Sequence, residues 1–586
     1  LSCSAQILGD LVIDVPQDTV VNAQVVRKAA TDRVIERNAA VQLCYVEVDE
    51  PDMHKPLGDL DRMKAILEKD WGWKNLLIAP HIVPEVQSTL RKGNWGVTAA
   101  IHRDMDSSRP FIVSLWPGLK NEAYGIACDI GSTTIAMHLV SLLSGRIVAS
   151  SGTSNPQIRF GEDLMSRVSY VMMNPDGREA MTSAVREAVN MLIGKVCAEG
   201  GVDRHDILDL VFVANPIMHH LFLGIDPTEL GQAPFALAVS GAMQYWAHEL
   251  DIDVNRGART YLLPCIAGHV GADAAGATLA EGPYRQDGMM LLVDVGTNAE
   301  IVLGNRARVV AASSPTGPAF EGAEISSGQR AAPGAIERVR IDPATLEPRF
   351  RVIGVDKWSD EEGFEEAAAT VGVTGICGSA IIEVVAEMYL SGIISEDGVV
   401  DGSLMEKSPR IIQNGRTFSY LLRDGEPRIT VTQNDVRAIQ LAKAALYAGI
   451  KLLMEKQGVE KVDTIRFAGA FGSFIDPKYA MVLGLIPDCD LAEVKAVGNA
   501  AGTGALMALL NRGHRREIEE MVKKIEKIET ALESNFQQLF VNAMAMPNKV
   551  DAFPELAKVV TLPERKVTSD DGGEGGGRRR RRSRGE

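Results

Sequence analysis

The central part of the chain carries the same pattern of apolar and polar positions twice. Residues 123–151 predict an apolar strand, a glycine turn, a second strand, another turn and a third strand. Residues 288–314 repeat this order. Short apolar runs that are bounded by glycine turns are typical of β-strands. The repeat therefore predicts two copies of one hairpin unit.

Helical spacing of apolar residues follows each of the two units. It predicts helices over residues 178–199 and 434–458. Small residues predict two further helices, beginning near residues 269 and 497, that can pack closely on a sheet. Residues 515–540 predict one charged amphipathic helix. Strands and helices thus alternate over most of the chain.

The two ends of the chain differ from its centre. Residues 1–16, LSCSAQILGDLVIDVP, predict a cysteine followed by a short strand that ends at Pro16. Residues 17–115 mix strand-like segments with a helix and predict a small connecting domain. Residues 563–586 are of low complexity and arginine-rich, and we expect them to be disordered. Binding of an acidic partner or of nucleic acid is the alternative for the arginine run.

Length and composition limit the class of protein. The chain has 586 residues, enough for about three to five domains. Its 46% hydrophobic residues are ordinary for a globular protein, and its net charge of −16 disfavours nucleic-acid binding. No apolar run reaches about 18 residues, so we expect no membrane segment. Seven scattered cysteines without a CxxC pair are typical of a reducing compartment, which predicts a cytoplasmic protein.

Two motifs, one at the first turn of each hairpin unit, carry the candidate chemistry. DIGSTT begins at Asp129 and DVGTNAE begins at Asp294. An aspartate at the end of an apolar strand can hold Mg²⁺ directly or through water. The glycine lets the backbone approach a phosphate, and hydroxyl groups and turn amides donate hydrogen bonds to phosphate oxygens. The pair predicts a clamp for a triphosphate. Its phosphate-contact candidates are Gly131, Ser132, Thr133, Thr134, Gly296, Thr297 and Asn298.

These motifs resemble the phosphate-1 and phosphate-2 motifs of the ATPase superfamily of actin, sugar kinases and heat-shock chaperones. Three further segments follow in that superfamily's order. VGADAAGATLA at 270–280 resembles its first connecting helix, FAGAFG at 467–472 its adenosine motif, and VGNAAGTGA at 497–505 its second connecting helix. The resemblance implies an α/β fold of two actin-like, ribonuclease H-like lobes that binds ATP and Mg²⁺.

The same resemblance implies roles for individual residues. Asp129 and Asp294 organise Mg²⁺, and Asp273 orients the attacking water. An ordinary aspartate at a helix N-terminus is the alternative for Asp273. Gly317 and Glu321 lie in a loop that either approaches the nucleotide or is an ordinary surface loop. The candidates on the adenosine side are Gly375, Gly378, Ser379, Gly469 and Gly472.

Three further side chains invite a metal-binding role. Cys377 lies in the adenosine-side turn, but a single cysteine without a partner is more often a small buried side chain than a cluster ligand. His219 and His220 are adjacent on a predicted helix and therefore do not share a face. A structural role is favoured for all three.

Longer segments narrow the resemblance to one family. ANPIMHHLFLGIDP, LLPCIAGHVGADAAGA and SSPTGPAFEGAEISSGQRAAPGAI are among those that resemble the reductive activators of corrinoid proteins. That family carries an N-terminal plant-type [2Fe–2S] domain, a linker domain and a two-lobed ATPase. The implied domains are a ferredoxin remnant at 1–16, a linker domain at 17–115, a first ATPase lobe at 120–284 and a second at 285–545.

Proteins of this family use ATP to help return inactive cobalt(II) corrinoid to cobalt(I). The resemblance implies the same reaction here, with electrons from an N-terminal [2Fe–2S] cluster. The implied partners are a corrinoid protein of a methyltransferase system, an electron donor to the cluster, and a second copy of the chain in a homodimer. Cys3 resembles the fourth cluster ligand, and we expect the other three upstream of residue 1 in a longer chain. A small-molecule kinase and a non-redox ATP-driven chaperone of the same superfamily are the alternatives.

Overall fold

The computed structural model describes residues 35–103, 109–296 and 298–563. The predictions for residues 1–16, for Cys3 and Thr297, and for the arginine-rich tail after Pro563 lie outside the described residues. Within these residues, helices pack on mixed β-sheets, so the predicted α/β class is confirmed.

A small α+β domain comes first in the described chain. Its four strands are β1 (Val41–Glu47), β2 (Leu77–Ile78), β3 (Gly96–His102) and β4 (Phe111–Pro117), and its helices are α1 (Asp59–Trp71) and α2 (Val86–Lys92). The strands form one sheet in the order β1-β3-β4-β2. Leu67 of α1 and Leu90 of α2 are buried against this sheet. The domain therefore has a hydrophobic core of its own.

Lobe I, the next unit, is built on a six-stranded sheet in the order β7-β6-β5-β8-β10-β9. Its strands are β5 (Tyr124–Ile130), β6 (Thr134–Ser141), β7 (Ile147–Ser154), β8 (Ile207–Ala214), β9 (Met243–Trp246) and β10 (Arg259–Leu262). Its helices are α3 (Leu164–Met173), α4 (Gly177–Gly200), α5 (Pro216–Leu223) and α6 (Ala272–Glu281). α5 begins where the sequence predicts it, with Pro216 in its first turn and Asn215 as its N-cap.

Lobe II, the last unit, contains a second six-stranded sheet in the order β21-β20-β11-β12-β13-β22 and two three-stranded sheets, β15-β14-β16 and β17-β18-β19. The first half of its strands are β11 (Met290–Val295), β12 (Ala299–Gly304), β13 (Val309–Ser314), β14 (Ala335–Ile341), β15 (Pro348–Val352) and β16 (Gly375–Ile376). The remaining strands are β17 (Ile411–Asn414), β18 (Thr417–Arg423), β19 (Ile429–Thr432), β20 (Thr464–Ala468), β21 (Val494–Gly498) and β22 (Glu526–Lys527).

The helices of lobe II lie between and after these strands. They are α7 (Phe364–Ala368), α8 (Gly378–Leu390), α9 (Gln433–Gln457), α10 (Gly469–Gly472), α11 (Pro477–Leu483), α12 (Ala500–Leu510), α13 (Arg512–Val522), α14 (Phe536–Asn542) and α15 (Pro554–Ala557). The longest, α9, is buried along much of its length in the core of the lobe.

The two large sheets repeat one topology. In lobe I, β5, β6 and β7 are antiparallel and β8 lies parallel to β5. In lobe II, β11, β12 and β13 are antiparallel and β20 lies parallel to β11. The predicted duplication of a hairpin unit is therefore confirmed. It places the Asp129 turn and the Asp294 turn at equivalent positions in the two lobes.

The small-residue helices α6 and α12 pack against each other between the two sheets. A Cβ atom on Gly504 of α12 would lie 2.1 Å from the carbonyl oxygen of Gly276 in α6. One buried cluster joins both helices to Val211 of lobe I and Val302 of lobe II. The absence of side chains at the crossing thus lets the two backbones touch where the lobes are connected.

The prediction of one helix over residues 515–540 is wrong. α13 ends at Val522, and the chain then forms β22, which pairs in parallel with β13. Ile525 packs in the core around α6 and α12, whereas Ile528 packs in the core of lobe II. The apolar residues that suggested one helical face therefore belong to two different cores.

Glu517 of α13 ties the chain after α12 to the chain after α6. Its carboxylate accepts hydrogen bonds from the Tyr284 hydroxyl at 2.8 Å, from Arg285 Nε at 2.8 Å and from His514 Nδ1 at 2.9 Å. Burial alone would raise the pKa of Glu517, but the hydrogen bonds from His514, Tyr284 and Arg285 lower it to about 2. The charged carboxylate therefore stabilises the fold above the ordinary glutamate pKa, and this stability is lost as the pH falls toward 2.

We expect Glu517→Gln to lower the free energy of unfolding at pH 7 by about 1–2 kcal/mol, because the site is partly exposed to solvent. Urea denaturation at pH 7, 5 and 4 measures the difference between wild type and variant. The difference should shrink as the pH falls below about 4.5, the pKa of the group in the unfolded chain. A difference that stays constant over this range would contradict the assignment.

Candidate functional site

A cavity of about 290 Å³ lies between the two lobes, at the two hairpin turns. The residues predicted from sequence that line it are Asp129, Gly131, Ser132, Thr133, Thr134, Asp273, Asp294, Gly296, Asn298, Glu321, Gly378, Ser379 and Gly469. Gly317, Gly375 and Gly472 are not among the lining residues. Most of the candidate site thus comes together around one space of the size of a small-ligand pocket.

Each of the two turns is closed by a hydrogen bond from the amide of its glycine. In the first, the Gly131 amide donates to the Thr134 carbonyl at 3.1 Å. In the second, the Gly296 amide donates to the Asn298 carbonyl at 3.1 Å. Two short loops, each closed by a backbone hydrogen bond, therefore line the cavity from opposite lobes.

Gly469 makes room for the carboxylate of the second turn. A Cβ atom at this position would lie 2.3 Å from Asp294 Oδ1, and the backbone has a φ of +83°, which favours glycine. The glycine of the predicted adenosine motif therefore also determines where the Asp294 side chain can lie.

Acidic side chains crowd the centre of the cavity. Burial raises the pKa of Asp273 to about 7, and the nearby Asp294 and Asp129 carboxylates add to this shift. Burial also raises the pKa of Glu300 well above its ordinary value, with contributions from Asp273 and Asp294. Four carboxyl groups that interact in this way favour the binding of a cation.

The donor set fits Mg²⁺ bound together with a nucleotide. Among the residues that the structure describes, no three acidic, histidine or cysteine side chains converge tightly enough to enclose a metal ion. Mg²⁺ characteristically takes one or two carboxylates, several waters and phosphate oxygens instead of an all-protein cage. Asp129 and Asp294, at the ends of β5 and β11, are placed to supply those carboxylates.

One part of the lobe II wall of the cavity is apolar. Ile353, Ala331 and Phe474 line it beside the N-terminus of α8. Ser379 in the first turn of α8 donates from Oγ to the Glu337 carbonyl at 3.1 Å. This wall offers apolar surface and backbone groups to a nucleoside.

The histidines and Cys377 carry no separate metal site in the described part of the chain. His219 and His220 are buried in α5, and neither lines the cavity. His220 Nδ1 lies 2.9 Å from the Pro216 carbonyl, and its Nε2 accepts from the Ala238 amide at 3.0 Å. Cys377 does line the cavity, and burial raises the pKa of its thiol.

Several lining residues were missed from sequence. They are Asn215, Glu300, Arg330, Glu337, Phe474 and Asn499. Asn215 and Asn499 each follow an apolar strand and cap the helix after it, a pattern that was readable in advance. Glu300 is the last residue of the DVGTNAE motif, so it could also have been predicted. Arg330 lies in the segment SSPTGPAFEGAEISSGQRAAPGAI, one of those that carry the family resemblance, whereas Glu337 and Phe474 come from parts of the chain without such a signal.

This arrangement belongs to the class of two-lobed ATPases that includes actin, sugar kinases and heat-shock chaperones. Three family models match the chain: the RACo linker region over residues 30–122, the RACo middle region over 124–286, and the C-terminal domain of RACo, the ASKHA domain, over 288–557. The chain belongs to this family, the reductive activators of corrinoid proteins.

Individual relatives agree with the family assignment. The corrinoid activation enzyme RamQ of Eubacterium limosum is 33% identical over 430 residues, which cover 71% of this chain and 69% of that protein. The [Co(II) methylated amine-specific corrinoid protein] reductase of Methanosarcina barkeri is 24% identical over 438 residues, 69% of this chain and 73% of that protein. The solved structure of a reductive activator for a corrinoid, iron–sulfur protein superposes with a TM-score of 0.76 at 31% identity, covering 89% of this chain and 80% of that one.

None of the helices in the described part of the chain is both long and apolar enough to span a membrane.

Proposed function

We propose that this protein is an ATP-dependent reductive activator, which helps to return the cobalt of a corrinoid protein from cobalt(II) to cobalt(I). The observation that carries the proposal is the cavity between two equivalent phosphate-type turns in a chain of this family. A protein that is 33% identical is named a corrinoid activation enzyme, and a second relative a cobalt(II) corrinoid protein reductase. The partner we infer is the corrinoid protein of a methyltransferase system.

The residues of the cavity suit the binding of Mg–ATP. Asp129 and Asp294 would hold the metal ion, which neutralises phosphate charge when bound. The turns that contain Ser132 and Asn298 would contact the phosphate oxygens. Asp273, which is buried and interacts electrostatically with Asp294 and Asp129, would orient the attacking water. The chain's part in hydrolysis is positioning and electrostatic stabilisation.

Hydrolysis can assist reduction only through a change in affinity for the partner. The lobes are joined at the crossing of α6 and α12, so nucleotide occupancy can alter the angle between them. The open and closed forms would then bind the two cobalt states of the corrinoid protein differently. This difference is the coupling that we propose.

The electron would come from a [2Fe–2S] cluster outside the described residues. Cys3, the one candidate ligand, lies outside them, and the six cysteines in the described part of the chain are buried thiols that form no metal-binding cluster there. The described part of the chain therefore does not fit the cluster. Free thiols support the proposal that the protein works in a reducing compartment such as the cytoplasm. The electron donor to the cluster and the assembly of two chains into a homodimer remain predictions.

An ATPase assay with the corrinoid protein tests the proposal. We expect release of ADP and inorganic phosphate from Mg–ATP, and a several-fold higher rate when the cobalt(II) form of the corrinoid protein is present. The methylated corrinoid protein, which needs no activation, is the control and should stimulate less. Phosphate transferred to a small-molecule hydroxyl, with no response to the corrinoid protein, would instead indicate a kinase.

A further inference from the structure

Three carbonyl oxygens of the first phosphate turn, those of Gly131, Ser132 and Thr133, accept hydrogen bonds from residues that do not line the cavity. Asn155 Nδ2 donates to the Gly131 carbonyl at 2.8 Å, and Arg167 Nη2 donates to the Ser132 carbonyl at 2.6 Å. The Asn155 amide donates to the Thr133 carbonyl at 2.8 Å. In a trans peptide the N–H points opposite to the C=O. The amides of Ser132 and Thr133 are therefore turned away from Asn155 and Arg167, toward the ligand space, which Ser132 and Thr133 line and Asn155 and Arg167 do not.

Part of this device is repeated in lobe II. The hydroxyl of Thr316 donates to the Gly296 carbonyl at 2.8 Å. Asn155 is the first residue after β7, the third strand of its hairpin unit, and Thr316 is the second residue after β13, the third strand of the other unit. Each lobe thus uses the end of its third strand to hold the glycine carbonyl of its turn. Because the two hairpin units differ in sequence yet share this arrangement, we take the hydrogen bond to the glycine carbonyl as a functional feature of the site.

Arg167 has features that a purely structural residue does not need. Its side chain is completely buried, and it also donates to the Gly161 carbonyl at 2.9 Å and to Met218 Sδ at 3.1 Å. Within the described residues, no carboxylate lies at ion-pair distance from it; the nearby Asp163 accepts from Ser166 instead. Burial lowers its pKa to about 10, so the guanidinium is still charged at neutral pH.

A buried cation without an ion-pair partner is costly unless an anion is held nearby. The guanidinium lies directly behind the peptide that faces the ligand space, one hydrogen bond from Ser132. Leu164, on the same helix α3, lines that space. The anion that this place fits is the phosphate chain of a nucleotide, because two aligned amides and a positive charge behind them all favour negative oxygen.

We infer that Arg167, together with Asn155, is a positioning residue for the phosphate chain of the bound nucleotide. The two side chains preorient the amides of Ser132 and Thr133. Arg167 also supplies a positive charge behind the first phosphate turn, on the lobe I side of a cavity that is rich in carboxylates. The inference rests on the proposed function, in which the cavity binds ATP. It adds to the phosphate-binding turn of lobe I two supporting residues that belong to no sequence motif.

Calorimetry with Mg–ADP and with adenosine tests the inference on three variants. We expect Arg167→Met to weaken Mg–ADP binding about 10- to 100-fold, as the loss of hydrogen bonds from a charged group implies, and to leave adenosine binding unchanged. Arg167→Lys, which keeps the charge but reaches fewer acceptors, should restore part of the affinity. Arg186→Met is the matched control, because Arg186 is also largely buried in lobe I and donates to the Phe222 carbonyl at 3.0 Å. The Arg186→Met variant should be less stable than the wild type but bind Mg–ADP with the same affinity.

Hydrogen exchange of the wild-type protein gives a second measurement that does not depend on the folding of a variant. Mg–ADP should protect the amides of the peptide that contains residues 131–134, and adenosine should not. Equal affinity of wild type and Arg167→Met for Mg–ADP, or protection that does not depend on phosphate, would overturn the inference. If the wild-type protein binds neither Mg–ADP nor adenosine, the proposed function itself would be overturned instead.

Discussion

Replacing Asp294 by asparagine is expected to lower the rate of ATP hydrolysis about 100- to 1,000-fold. Asp294 stands at the end of β11 beside the second phosphate turn, in a place that Gly469 keeps clear for it. The substitution keeps the shape of the side chain and removes one of the charges that would hold Mg²⁺. ADP release at saturating Mg–ATP measures the effect, and circular dichroism checks that the fold is retained.

Asp287→Asn is the matched control for this change. Asp287 is also an aspartate of lobe II, but it precedes β11, at the opposite end of that strand from the turn, and its side chain is 87% exposed and paired with Arg306 at 3.3 Å. We expect its hydrolysis rate to equal that of the wild type. An Asp294→Asn protein that keeps more than about a tenth of the wild-type rate would contradict the role of Asp294 in holding the metal ion.

Replacing Gly504 by alanine is expected to disturb the joint between the lobes. The added methyl group would meet the Gly276 carbonyl carbon at 2.4 Å and its oxygen at 2.1 Å, and neither backbone atom can rotate away. Forced separation of the two helices costs about 1–3 kcal/mol or more of stability. Because the crossing connects the lobes, we also expect Mg–ATP to lose its effect on cobalt reduction. Urea denaturation and the reduction assay measure the two effects.

Gly194→Ala provides the comparison for Gly504→Ala. Gly194 lies in helix α4, and a Cβ atom there would meet only the end of the Arg204 side chain, at 3.5 Å. This change should leave stability unchanged or raise it by up to about 1 kcal/mol, since alanine is the better helix former. If Gly504→Ala behaves like Gly194→Ala in both assays, the crossing of α6 and α12 is not the coupling element.

Local patterns predicted the parts of the site that are built from contiguous sequence. A strand, an aspartate, a glycine and hydroxyl residues stand next to each other in the chain, so the turns at Asp129 and Asp294 could be read directly. The small residues around Gly276 and Gly504 likewise predicted helices that pack closely. In each case the chemistry depends on neighbours in sequence, which is why the prediction could name them.

Residues that act across the fold could not be predicted in this way. Arg167 touches the Ser132 carbonyl from 35 positions away, and Asn155 touches the Gly131 carbonyl from 24 positions away. Neither belongs to a motif, because only the packing of α3 and the end of β7 brings them to the turn. The end of the predicted helix at Val522 has a similar cause, because β22 pairs with the edge of a sheet whose other strands come from elsewhere in the chain.

The most direct test of the account is the yield of cobalt(I) in the partner corrinoid protein. The full-length protein, a low-potential artificial electron donor and the cobalt(II) corrinoid protein would be combined, and cobalt absorbance followed with and without Mg–ATP. The account predicts that Mg–ATP raises the yield of cobalt(I) several-fold, and that Asp294→Asn abolishes this increase. The same yield with and without Mg–ATP in the wild-type protein would contradict it.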